Sequence, residues 1–214
     1  MKRMTMAILA SLLALATGAS ATTQAAGSNV VSVAPTMNMS VNILKAVSLT
    51  LKTGTTGGVT HCAVAAAGGN PDYTMDFGQV DALGITAGNC NKINPTNPGV
   101  DDAIYWSDYQ VLPVYTSHQA FSGTTVSAKV SSDFAAPHNV FIVRSATATS
   151  NTTPSVASDF AALSTGVADT IGAAGVTSGA ALTRFIGVEV KPDNGATVLQ
   201  GAQTATVTFT LTVQ

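Results

Sequence analysis

Charge is what this sequence has least of. Only 9% of its 214 residues are Asp, Glu, Lys or Arg, against about a quarter in an ordinary soluble domain. Nine basic residues against eleven acidic ones leave a net charge of −2. No electrostatic footprint exists for nucleic acid or for an anionic membrane surface, so neither is an expected partner. Aromatic residues are also scarce, at 6% with a single tryptophan. Disorder is excluded as well, because disordered chains combine low hydrophobicity with high net charge, whereas 46% of this chain is hydrophobic. No CxxC or HxxxH spacing marks a metal site, and no GxSxG elbow marks a nucleophile. Asp101 and Asp102 follow a Pro- and Asn-rich turn, but the DxDxDG spacing of a calcium loop is missing, and an acidic turn is expected there.

What is present begins with an export signal. Lys2 and Arg3 precede an apolar run from residue 6 to 16, and Ala19-Ser20-Ala21 follows, which is the layout of a secretory signal peptide over residues 1–21. An apolar run of about ten residues is too short to cross about 30 Å of hydrocarbon as a helix. Cleavage after Ala21 leaves seven basic residues against eleven acidic and no expected membrane span. The remaining cysteines, Cys62 and Cys90, are a lone pair in an oxidising compartment, where one intramolecular disulfide is the simplest outcome. Such a bridge stabilises by about 3 to 4 kcal/mol in the chain-entropy account. His61 beside Cys62 makes a poor metal pair, since neighbours on a strand point to opposite faces.

The strongest periodic signal has a repeat of two. Val31, Val33, Pro35, Met37, Met39, Val41 and Ile43 alternate with small polar residues, and after Lys45 the pattern resumes with Val47, Leu49 and Leu51. Pro35 cannot donate a ladder hydrogen bond, and the run exceeds one strand, so it divides near Pro35 or Thr36. The C-terminus is purer: Ala205, Val207, Phe209, Leu211 and Val213 alternate with five threonines. Between the ends lie strand candidates at 73–80, 103–109, 110–116, 124–130, 139–146 and 182–190, punctuated by Gly, Pro, Asn and Asp. Residues 147–155 read as a loop, and Ser158 followed by Phe160, Leu163 and Val167 predicts a short capped helix. The expectation is an all-β sandwich of one domain, of about 190 mature residues.

Candidate chemistry is sparse. Each of the three histidines, His61, His118 and His138, sits in a turn-like context, and no catalytic residue, metal or cofactor is expected. Tyr105, Trp106 and Tyr109, with Tyr115 nearby, compose the one aromatic cluster. Rings with polar tips can stack on sugar faces, so this cluster is the candidate ligand site of a secreted or periplasmic glycan-binding module. The competing expectation for Trp106 is a core plug among small side chains.

The export signal, the alternating N-terminal segment, Cys62 followed by Met75-Asp76-Phe77-Gly78, the second cysteine and the final alternating strand together resemble the fimbrial subunits of the bacterial chaperone-usher route, in particular the archaic, spore coat protein U-like group. The chain departs from many such subunits in ending Val213-Gln214, without an aromatic residue next to last. The resemblance implies an immunoglobulin-like β-sandwich that lacks one strand and is completed by the N-terminal extension of a neighbouring subunit. It places that extension in residues 22–36, with 29–36 as the donor strand and Val31, Val33 and Pro35 at the interface, and a single sandwich in 37–214. Implied partners are further copies of the chain, joined head to tail, with a periplasmic chaperone and an outer-membrane usher. The implied role is a structural subunit of a surface filament or coat, with no enzymatic activity.

Overall fold

The computed structural model describes residues 40, 46–116, 123–192 and 201–213. The chain divides into two units, Met1–Ile43 and Leu44–Gln214, and every element below belongs to the second. The candidate donor residues Val31, Val33 and Pro35, the signal segment and His118 lie outside the described residues.

Among the described residues eleven strands follow in chain order: β1 Val47–Thr53, β2 Val64–Ala66, β3 Tyr73–Met75, β4 Asn91–Ile93, β5 Ala103–Tyr115, β6 Thr125–Ser132, β7 Val140–Ser145, β8 Phe160–Ala162, β9 Asp169–Gly172, β10 Leu182–Val190 and β11 Thr206–Thr212. The larger sheet runs β1-β5-β10-β7-β8, with β4 also paired to β5; the smaller runs β11-β6-β9; and β2 and β3 form a separate hairpin. All named pairs are antiparallel. No helix among the described residues is long and apolar enough to cross a membrane.

Register explains how the sheets meet. Leu51 lies opposite Val111, and Val111 opposite Leu182, so one alternate set of β1, β5 and β10 shares a face. That set packs with Val126, Ala128 and Val130 of β6, Ile171 of β9 and Phe209 of β11 in one core cluster. The two sheets therefore sit face to face, the all-β sandwich that the alternation predicts. The other face of β5 and β10 is covered too. There Trp106 packs edge-on to Phe185 at 5.7 Å between centroids and at 6.2 Å from Phe160, with Val59, Ile104 and Val143 around them. Gly187 lies opposite Trp106, and an added Cβ would stand 2.6 Å from the Tyr105 carbonyl and 3.0 Å from Trp106 Cβ. Only a residue without a side chain lets the indole lie there.

Three expectations are corrected. The candidates 103–109 and 110–116 form one 13-residue strand, because nothing between them turns the chain. Pro113 is accommodated beyond the Leu182–Val111 pair, where β10 has not yet begun and β5 is flanked by β1 alone. The expected helix after Ser158 is a single 3₁₀ turn, Ala157–Asp159, followed by β8. Asp159 closes that turn by accepting the Ser155 and Val156 amides. Phe160 and Leu163 then enter different core clusters, on opposite sides of the larger sheet, which a strand's alternation permits and a helix face does not. The strand expected over 73–80 stops at Met75. There Asp76 Oδ1 accepts the Gly78 amide at 2.8 Å, and Gly78 takes φ 72°, while Phe77 packs into the third core cluster.

Candidate functional site

The two sheets are sealed unequally. Along one flank, Arg144 of β7 donates Nε–H to Asp169 of β9 at 2.9 Å and also binds the carbonyls of Ser145 and Ala146. The guanidinium holds the Asp169 carboxyl below its usual range, against the effect of burial. This ion pair ties one sheet to the other.

The opposite flank carries β1 and β11, which neighbour each other as the outer strands of the two sheets. Among the described residues β1 pairs only with β5, and β11 only with β6. The outward backbone edge of each is thus unpaired within this set, which is the template for adding a strand. Their core-facing side chains are incompletely covered: Leu49, Leu51, Val207, Phe209 and Leu211 pack against the main cluster but stay half-buried, and Val47 is 62% exposed. Phe209 meets Tyr109 edge-on at 5.6 Å, so the floor of this gap is continuous with the core. At the Thr53 end the β2–β3 hairpin stands beside β1, where Thr53 Oγ1 accepts the Val64 amide at 2.9 Å, and Val64 and Met75 join the same cluster. Between β1 and β11 lies an apolar strip lined by aliphatic side chains and Phe209.

The cysteines are joined as expected, Cys62 to Cys90, with 5.3 Å between Cα atoms. The bridge ties one end of residues 76–90 to Cys62, and Phe77, Val80 and Ala82 of that segment pack against Ala103, Tyr105, Val188 and Val190. Inside that segment the Asp81 carboxylate accepts the amides of Leu83 at 2.8 Å, Ile85 at 3.1 Å and Thr86 at 2.6 Å, and Tyr105 donates to it at 3.3 Å. Burial acts to raise the Asp81 pKa, but the hydrogen bonds from Thr86, Ile85 and Leu83 outweigh it and hold the group well below the usual carboxylate range.

A second carboxylate, this one fully buried, organises residues 54–62. Asp108, wholly buried on β5, accepts the Thr56 amide at 2.9 Å and contacts His61 Nδ1 at 2.5 Å. Burial raises its pKa, and the bonds from Thr56 and His61 more than reverse that. Gly54 makes room for it: a Cβ there would lie 2.0 Å from the carboxyl carbon. Cys62 is fixed alongside by donating its amide to Ser107 Oγ at 2.9 Å. Neither carboxylate stood out in the sequence as a structural anchor. The available signal was an aspartate inside an otherwise buried strand, and one aspartate followed at two to five residues by the amides it binds.

The aromatic platform does not form. Tyr105 is 1% exposed, Trp106 5% and Tyr109 4%. Strand alternation turns Trp106 to the outer cluster and its two tyrosine neighbours to the opposite side, so no common ring face meets solvent. Burial pushes the Tyr109 phenol well above its usual range, with nearby Arg184 acting in the other direction. His138 packs edge-on to Phe134 and tilted against Phe141, and its Nδ1 lies 2.8 Å from the Val140 carbonyl. Asp101 accepts the Asn97 amide, and Asp102 pairs with Lys191 at 3.5 Å, as expected of an acidic turn. Among the described residues no group of three or more His, Cys, Asp or Glu is placed to hold a metal ion.

No family model matches the chain, and no curated protein matches it. Among solved structures it is similar to the P pilus rod subunit PapA, with 19% identity and a TM-score of 0.35, over 72% of this chain and 99% of that one. The fold assignment rests on the strand pairings described above.

Proposed function

We propose that this chain is an exported structural subunit of an extracellular filament or surface coat, and that it polymerises by donating a strand from one copy to the next. The observation that carries this is the strip between β1 and β11, where two unpaired strand edges flank half-buried aliphatic side chains. A strand laid there would gain backbone hydrogen bonds along an edge and bury alternate side chains over Leu51, Phe209 and Leu211. Residues 29–36 have the matching alternation, with Val31 and Val33 as the side chains that enter and Pro35 marking the end of the donated segment. Donation to a different copy is heterologous, does not close on itself, and therefore extends into a filament. A periplasmic chaperone that shields the strip before assembly and an outer-membrane usher belong to the same proposal.

The test compares heated and unheated mature protein on a denaturing gel, with negative-stain microscopy of the same sample. Strand-joined copies separate slowly, so unheated protein should run as a ladder and show fibres. Replacing Val31 and Val33 together by Asp should collapse the ladder to monomer while leaving the circular dichroism of the sandwich unchanged. A ladder that survives this change removes residues 29–36 as the donor.

A further inference from the structure

Residues 145–158 carry no charged side chain, and six of the nine residues from Thr147 to Ser155 bear a hydroxyl. This segment joins β7 to the 3₁₀ turn before β8, and its base is fixed. The Ala146 amide donates to the Asp159 carbonyl at 2.6 Å, and Arg144 Nη1 donates to the carbonyls of Ser145 and Ala146, each at 2.8 Å. The Asp159 carboxylate accepts the amides of Ser155 and Val156. Two inward contacts hold the loop down: Ala148 packs against the main core cluster, and Pro154 is buried. Residues 146–159 therefore close on themselves as a compact surface loop.

Within that frame Thr149, Asn151, Thr152 and Thr153 are exposed. Ser150 Oγ is occupied by the Thr152 amide at 3.1 Å, and Ser155 Oγ donates to Asp159 at 3.3 Å. The hydroxyls of Thr149, Thr152 and Thr153 have no hydrogen-bond partner among the described residues. The threonines of β11 differ, because their backbone is tied into the ladder with β6 and Thr208 Oγ1 lies 2.8 Å from Ser131 Oγ. An enzyme that modifies a hydroxyl has to surround it, and a surface loop outside any sheet allows that approach. The loop also enters β8, the edge of the larger sheet opposite β1. A bulky group attached there stands clear of the strip between β1 and β11.

We propose that Thr149, Thr152 and Thr153 are glycosylated, the loop presenting their hydroxyls to a sugar transferase. A Ser- and Thr-rich run with proline and no charge is the composition of hydroxyl-linked glycan acceptors, and here the fixed base holds such a run out in solvent. In the transfer, the threonine Oγ1 attacks the anomeric carbon of a sugar diphosphate. The bond from that carbon to the phosphate oxygen breaks, the diphosphate leaves with the electron pair, and the hydroxyl proton passes to a base of the transferase. Asn151-Thr152-Thr153 also has the spacing of an amide-linked acceptor. The amide nitrogen is the poorer nucleophile, since its lone pair is delocalised into the carbonyl, and three free hydroxyls stand beside it. On a chain with 9% charged residues, sugars supply a hydrated surface without adding charge.

The test is intact mass spectrometry of the mature protein purified from the cells that naturally produce it, before and after mild alkali, with peptide mapping. The expected result is a mass above that of the sequence by whole sugar residues, located in 147–155 and released by alkali through β-elimination. Thr149→Ala, Thr152→Ala and Thr153→Ala together should remove the added mass and leave the circular dichroism unchanged, while Asn151→Gln should leave the sugar in place. A wild-type mass equal to that of the sequence overturns the proposal, and so does added mass that maps outside the loop. Sugar that resists alkali and disappears in Asn151→Gln overturns the hydroxyl linkage. The proposal shares only export with the function proposed above. Sugar on protein that shows no unheated ladder keeps the glycan and removes strand addition; a ladder from protein at the bare sequence mass does the reverse.

Discussion

β5 with β10, and β1 with β11, are built on the same principle and end in different states. Each strand alternates two sets of side chains. In β5 and β10 both sets find cover: Tyr109 and Val111 face the smaller sheet, while Trp106 and Phe185 lie under residues 54–62 and Phe160. In β1 and β11 one set faces the core and is only half covered, and the other, Ser48, Thr208, Thr210 and Thr212, is polar. A shared period thus says which face is apolar, while the degree of closure depends on the neighbours a strand acquires. In this molecule the interior strands are covered on both faces, and the outer strands of one flank stay half covered among the described residues.

That contrast can be broken first at its largest side chain. Trp106→Ala should cost about 3 to 5 kcal/mol in chemical denaturation, as for a fully buried aromatic. The paired substitution Phe209→Ala should cost only about 1 to 2 kcal/mol in monomer, in proportion to its partial burial, and should abolish the unheated ladder. Equal losses in the monomer would mean that the strip between β1 and β11 is already closed within one copy. Next in size, replacing Cys62 and Cys90 together by Ala should lower stability by about 3 to 4 kcal/mol at most, in the same assay. It should loosen the segment bearing Leu83 and Ile85 in hydrogen exchange before it affects β11.

The smallest expected effect is on pH. Asp81 and Asp108 have folded pKa values below the ordinary unfolded value near 3.9. Their contribution to stability is therefore fully present above that value and is lost as pH falls through the lower, folded values. Melting temperature should be flat from neutral pH to about 5 and then decline as these groups take up protons in the unfolded chain. Asp81→Asn should make that decline shallower, and the change should be confined to the acid limb.

Much of the fold was legible. Leu182–Val190 matches its expected strand, and the candidates ending in 130, 146 and 213 differ from β6, β7 and β11 by one or two residues. These segments have clean alternation bounded by turn residues, so local chemistry and tertiary position agree. The missed elements are those where they conflict. Ser158, Phe160, Leu163 and Val167 carry helical spacing, yet Asp159 closes a tight turn and Phe160 goes to Trp106. For Trp106 the sequence offered both a core plug and a ligand platform, and the buried plug is what forms; adjacency along a chain says nothing of which sheet face lies open.

By itself the sequence determined an all-β chain, the apolar set of each long strand, and the cysteine pair, because a period of two and a lone thiol pair are local facts with few physical solutions. Only the tertiary structure decided that Trp106 is a plug over Gly187, that Asp81 and Asp108 are anchors, and that β1 and β11 keep unpaired outer edges among the described residues. Those outcomes depend on which strand neighbours which, and on whether a buried carboxylate finds backbone amides within reach. Both are set by contacts between residues far apart in the chain.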